Sequence, residues 1–144
     1  MSALYWDRLT VEAQAILRGA EAEAELSHHS YIGSEHLLLA MLQQPQSAAY
    51  RFLKLCRIDE AAVRETIDSV LGKHERLITG QVIPTSRTRR IIDLAYEIAT
   101  SFKEPLVGSE HLFFAIISEG GGIAAHILED MGLGERSSIA ILAA

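Results

Sequence analysis

The chain has 144 residues, 49% of them hydrophobic and 22% charged. That is enough for one domain with its own core, and an ordinary balance for a globular protein. The formal net charge of −6 disfavours nonspecific binding to nucleic acid or to an anionic membrane surface, and leaves room for a cationic partner.

Read in chain order, the opening MSALYWDRLT has no basic stretch followed by an apolar one, so no signal peptide is visible. Tyr5 and Trp6 read as packing residues. From about Thr10 to Leu26, Ile16, Leu17, Ala20 and Ala24 recur at helical spacing, while Glu12, Glu21, Glu23 and Glu25 form a polar face. Thr10 is a candidate N-cap. SHHSYIG breaks this pattern. Ser34 is expected to cap a second helix, with Glu35 in its first turn and Pro45 ending it. A third helix is expected over about 46–56. Cys56, beside Leu55, reads as a small buried apolar residue; being alone it forms no intrachain disulfide, which fits a reducing cytoplasm. A fourth helix follows in DEAAVRETIDSVLG, with Asp59 as cap and Gly72 as stop.

KHERLITGQVIP, residues 73–84, reads as a linker. Thr85 or Ser86 then opens a long helix to about Phe102, Ser109 caps the next, GGGIAAHILEDMG is a third and ERSSIAILAA a short last one. No strand signal with strict alternation is present. The longest apolar runs, HLLLAML and HLFFAII, fall short of the roughly 20 residues of a membrane span.

The two halves are copies. A shift of 75 residues aligns 10–59 with 85–134 without a gap, and 12 of those 50 positions are identical, against about three expected from composition. IGSEHLLLAM (32–41) returns as VGSEHLFFAI (107–116), and Thr10, Ile16, Ala20 and Ala24 meet Thr85, Ile91, Ala95 and Ala99. The expected fold is all-α: a single domain over 1–144, eight helices as a pseudo-twofold tandem repeat of two four-helix motifs. Repeat one spans about 8–72 and repeat two about 85–142. Leu37, Leu38, Met41, Leu42, Phe52 and Leu53, with Leu112, Phe113, Ile116, Ile117, Ile127 and Leu128, are the expected core.

The repeated Gly-Ser-Glu-His-Leu has a structural account. Gly33 and Gly108 permit a tight helix start, Ser34 and Ser109 accept an orphan N–H, Glu35 and Glu110 favour the positive end of the dipole, and Leu37 and Leu112 point inward. Only the histidines are left over, and His36 and His111 read as polar residues hydrogen-bonded within the helix packing. It also has a functional account, since a helix N-terminus offers donors to an anion and a carboxylate beside it accepts a guanidinium. A ligand carrying both a cation and a phosphate would suit two such places. A metal site is disfavoured: no His-x-x-x-His pair lies on a helix, and His28 and His29 are matched by Lys103 and Glu104 in the other copy. Nor is an enzyme expected. There is no Gly-x-Ser-x-Gly elbow, GLGERSS and VLGKHER both miss the phosphate-loop pattern, and EGGGIAA follows no strand.

With these motifs in hand, RLTVEAQAIL, IGSEHLLLAML and VGSEHLFFAIISEGGGIAAHILEDMGL resemble the double Clp-N motif, the amino-terminal domain of Clp/Hsp100 unfoldases, most closely the ClpC branch. The resemblance covers about 8–142. It implies a helical pseudo-dimer, without a cofactor, that receives substrate or adaptor proteins and works with Clp ATPase and protease subunits. It also implies recognition of phosphorylated arginine by Glu35 and Glu110, with Thr10 and Thr85 near the phosphate beside Ser34 and Ser109. Three departures stand out. QQPQSAAY (43–50) replaces the Glu-Gly-x-Gly-x-Ala-Ala run that repeat two keeps, Lys103-Glu104 replaces a common Gly-His, and the sequence holds no ATPase part. The alternative is a regulator or assembly factor that binds Clp subunits and keeps the motif only for its fold.

Overall fold

The computed structural model describes residues 6–71 and 82–132. A short 3-10 turn, Trp6–Arg8, precedes seven α-helices: α1 Val11–Leu26, α2 Ser34–Leu42, α3 Ala48–Leu55, α4 Glu60–Leu71, α5 Ser86–Ser101, α6 Ser109–Glu119 and α7 Ile123–Asp130. Seven helices therefore stand among the described residues where eight were expected. The eighth, over ERSSIAILAA, lies outside them, as do residues 73–81 of the expected linker, Gly72 and Tyr5.

Two strands of two residues each, β1 Tyr31–Ile32 and β2 Ile83–Pro84, pair in parallel with Tyr31 opposite Ile83 and Ile32 opposite Pro84. They were not foreseen, because a pairing this short has no alternating run to betray it. A lone parallel bridge joins Leu9 to Val107. Val107 lies 75 residues after Ile32, and Pro84 lies 75 after Leu9, so one contact is made twice with the repeats exchanged. The backbone bonds beside it follow suit: Thr85 N–H donates to Ile32 C=O at 3.1 Å and Thr10 N–H to Val107 C=O at 3.0 Å.

Within each repeat the first helix packs along the second, α1 on α2 and α5 on α6. Fully buried alanines at the seam, Ala20 and Ala24 in one copy and Ala95 and Ala99 in the other, let the backbones approach. A Cβ placed on Gly19 would stand 3.2 Å from the Ala40 Cβ. α2 is apolar almost all round, and all nine of its residues are buried, as such a helix must be in water.

The repeats then interlock. α2 packs on α7 and α3 on α6, so the third helix of each copy lies on the second helix of the other. Phe52 of α3 sits with its ring 5.7 Å from Phe113 and 5.6 Å from Phe114. Ten of the twelve expected core residues are buried, and Phe52 and Ile117 pack half-exposed against them. Trp6 is also half-buried against the core, with the Arg18 guanidinium 5.1 Å over its ring. Cys56 is half-buried, more open than expected.

Helix ends are set by local chemistry. Thr10, Ser47 and Thr85 accept from the third residue after them, and Asp59 accepts from Ala62 N–H at 2.8 Å. Three helices close with the double carbonyl capture of a Schellman motif. In each, the residue after the cap is left-handed although it is not glycine: His28 at φ 57°, Arg57 at 60° and Lys103 at 58°. The missing Gly of the Gly-His pair is thus a left-handed position occupied by Lys103.

Candidate functional site

Each Gly-Ser-Glu-His begins the second helix of its repeat, and the structure gives every residue of the motif a job. Gly33 and Gly108 are the N-caps of α2 and α6, so Ser34 and Ser109 are the first helical residues, one place later than expected. Neither serine caps its own helix. Ser34 Oγ accepts from Ala124 N–H at 3.1 Å, in the first turn of α7, and Ser109 Oγ accepts from Ala49 N–H at 3.1 Å, in the first turn of α3. Each repeat caps the third helix of the other.

The histidines complete the cap. Gly33 N–H donates to His36 Nδ1 at 2.8 Å and Gly108 N–H to His111 Nδ1 at 2.8 Å. This is the return half of a capping box, with imidazole where Glu or Gln is usual. Both glycines have extended φ, −101° and −98°, which any residue adopts. Their small size is needed for a different reason. A Cβ on Gly33 would lie 2.3 Å from Glu35 Oε1, and one on Gly108 2.2 Å from Glu110 Oε1. The carboxylates fold back over bare backbone.

Three helix starts therefore meet at each site. At the first, α2 brings Gly33, Ser34 and Glu35. The α5 start brings Thr85, through its bond to Ile32, and α7 begins at Gly122 against Ser34. At the second, α6 brings Gly108, Ser109 and Glu110, the α1 start brings Thr10, and α3 begins at Ser47. The exchange sets Thr85 against Ile32, three residues before Glu35, and Thr10 against Val107, three residues before Glu110, across the repeats. Aligned peptide dipoles make such a convergence locally positive.

The sites differ in their surroundings. Glu35 is 2% exposed and its Oε2 accepts from the Tyr31 hydroxyl at 3.2 Å. Burial raises its pKa above the ordinary carboxylate value, against the pull of its own backbone N–H and of Tyr31. Glu110 is half-exposed. Beside the first site, Arg87 reaches Glu119 at 3.3 Å and the Gly121 carbonyl at 2.7 Å. Its counterpart at the second site is Glu12.

Two buried groups near the first site depart from the sequence reading: Thr88 was not singled out, and Glu23 was expected on the polar face of α1. Glu23, 3% exposed, is clasped by Arg64 and Gln43. Burial alone would raise its pKa, but the bonds from Arg64 and Gln43 outweigh that and lower it. Thr88, fully buried, donates its hydroxyl to Ile32 C=O at 2.8 Å. Among the described residues no group of three His, Cys, Asp or Glu is arranged to hold a metal ion, and no single helix is long and apolar enough to cross a membrane.

A duplicated helical body with paired motifs at exchanged helix starts is a tandem-repeat domain of the Clp-N kind. The chain matches the family "Clp repeat (R) N-terminal domain" over residues 8–131 and belongs to it. It is 33% identical over 130 residues to the ATP-dependent Clp protease ATP-binding subunit ClpC of Staphylococcus saprophyticus. The match takes in 90% of this chain and 16% of that protein, so the chain spans about a sixth of the length of that relative. Among solved structures, the N-terminal domain of the chaperone ClpD from Arabidopsis thaliana superposes with a TM-score of 0.76 at 17% identity, covering 100% of both chains. A ClpV N-domain in complex with a VipB peptide gives 0.71 at 16% identity, covering 85% of this chain and 76% of that one. At such identities the structures speak for the fold alone.

Proposed function

We propose that this chain is a non-enzymatic recognition module of the Clp protease system, receiving substrate or adaptor proteins through the two motif sites, and that phosphorylated arginine is the side chain received. One observation carries this reading: a carboxylate stands at the meeting of three helix starts, and the arrangement is built twice. A carboxylate accepts a planar guanidinium in two parallel bonds, while helix-start N–H groups and the Thr10 or Thr85 hydroxyls suit a phosphate. The related ClpV domain solved with a peptide supports protein segments as the ligand class. Calorimetry with phosphoarginine tests the reading. Binding that weakens at least tenfold in Glu35→Ala/Glu110→Ala supports it, and no heat at millimolar ligand, or unchanged binding in that variant, refutes it.

The second reading, a regulator or assembly factor that binds Clp subunits without phosphoarginine, draws on the same geometry. Gly33, Ser34, His36 and their counterparts are fully explained by capping and packing, so the motif would persist for the fold. A stable complex with Clp ATPase or protease subunits that survives the double alanine variant favours it.

A further inference from the structure

Resting on the receptor reading, we infer that Tyr31 closes the first of the two sites, so that a guanidinium-bearing ligand is received at Glu110 alone until the Tyr31 ring is displaced. The ring is held from several sides. Its hydroxyl donates to Glu35 Oε2 at 3.2 Å. Its face stacks on His29 with centroids 5.1 Å apart and planes 10° from parallel, and it also leans on His36 at 5.5 Å. His29 is fixed in turn. His36 Nδ1 accepts from Gly33 N–H, so the proton of a neutral His36 ring sits on Nε2 and is donated to His29 Nδ1 at 2.9 Å. The result is a chain from helix cap to imidazole to imidazole to phenol, with the carboxylate beneath it almost closed to water.

Of this chain the second site keeps only the first link, the Gly108 N–H bond to His111 Nδ1. The residue 75 places after Tyr31 is Leu106, which has no hydroxyl to give and is 46% exposed. The counterpart of His29 is Glu104, so the stacking imidazole is missing and only His111 remains of the two rings. Glu110 is half-exposed, and among the described residues no other side chain forms a hydrogen bond or ion pair with it. Fixed charge acts in the same direction. At the second site Glu12 in the first turn of α1 favours a cation, whereas its counterpart at the first, Arg87, is an arginine paired with Glu119. Exposed Val11, 79% open, and Leu106 add apolar surface at that rim.

Calorimetry on the whole chain with a short phosphoarginine peptide decides the matter by stoichiometry. The expected result is one peptide per chain, binding lost at least tenfold in Glu110→Ala and kept within about twofold in Glu35→Ala. Tyr31→Leu, which installs the residue that repeat two already carries there, should raise the stoichiometry to two, with the second equivalent removed by adding Glu35→Ala. Two equivalents on the unaltered chain, or loss in Glu35→Ala rather than Glu110→Ala, overturns the closure of the first site without touching the receptor reading. So does one equivalent in a Tyr31→Leu protein whose circular dichroism matches the parent. No binding by any of these proteins overturns the receptor reading itself, and this inference with it.

Discussion

His36 and Gly108 show how much one residue decides. His36 is 1% exposed and must be neutral for its Nδ1 to accept from Gly33. Burial lowers its pKa to about 4, with the nearby His29 adding to the shift and Glu23 opposing it. A base whose folded value is depressed lends stability above its unfolded value, and that stability is lost as pH falls through the folded one. The window is therefore from 6.5 down to about 4. At about 1.36 kcal/mol per unit, the loss reaches on the order of 3 kcal/mol. Glu35, whose raised value favours the acidic side, offsets part of it. Urea denaturation across this range should show the decline, and His36→Gln should flatten it, because glutamine at this capping-box position still accepts the Gly33 N–H but does not titrate. An equally steep profile in the variant would remove His36 as the cause. Gly108→Ala belongs to the same scale. The nearest atoms its Cβ would meet all belong to the Glu110 carboxylate, which can swing to water, so folding should lose less than about 1 kcal/mol while peptide binding falls at least tenfold. Gly33→Ala drives the same clash into the closed space under Tyr31 and should cost more, about 1–3 kcal/mol.

At the scale of helices, the exchange of caps binds the repeats together. Ser34→Ala leaves the buried Ala124 N–H at the start of α7 without its acceptor, and Ser109→Ala does the same to Ala49 at the start of α3. Each should cost about 1–2 kcal/mol in urea denaturation, and by similar amounts since the geometry is the same. A loss below a few tenths in both would mean the bonds carry no stability. These helices were legible in the sequence because apolar stripes such as Ile16, Ala20 and Ala24, and caps such as Thr10 and Asp59, are local signals repeated at 75 residues. The partner of Ser34 was not. A serine just before a helical run reads as that helix's own cap, and nothing local reveals a bond to a residue 90 positions away. His36 was legible as a packed, hydrogen-bonded residue, but its capping role was missed for a related reason: Glu35 drew the dipole argument, while the capping-box position belonged to the imidazole beside it. Tyr31 fell in the SHHSYIG break, where the copies differ, and a difference between Tyr31 and Leu106 carries no periodicity to read. The left-handed positions of Arg57 and Lys103 were hidden as well, although the counterpart of Arg57 is Gly132, left-handed at φ 96°.

For the molecule as a whole, almost every structural device crosses from one repeat to the other. The parallel contacts run from Ile32 to Pro84 and from Leu9 to Val107, the serine caps are exchanged, α2 rests on α7 and α3 on α6, and Phe52 of one copy completes an aromatic cluster with Phe113 and Phe114 of the other. A single repeat therefore has nowhere to bury α2, whose whole circumference is apolar or covered. It would also leave the first turn of α3 without Ser109. At about 25 cal/mol per Å², uncovering the faces of α2 and α3 that pack on α7 and α6 works against a fragment of some 65 residues that is marginal at that size. The expected outcome is that residues 8–72 alone show weak helical circular dichroism and no cooperative melt, whereas the whole chain unfolds in one transition that coincides by circular dichroism and by fluorescence of its single tryptophan, Trp6. Mixing separate 8–72 and 82–144 fragments should restore the helical signal, since the exchanged contacts need both copies but no covalent link between them. A cooperative, native-like melt of either fragment alone would show that the repeats are self-sufficient and that the two sites are not built by their exchange.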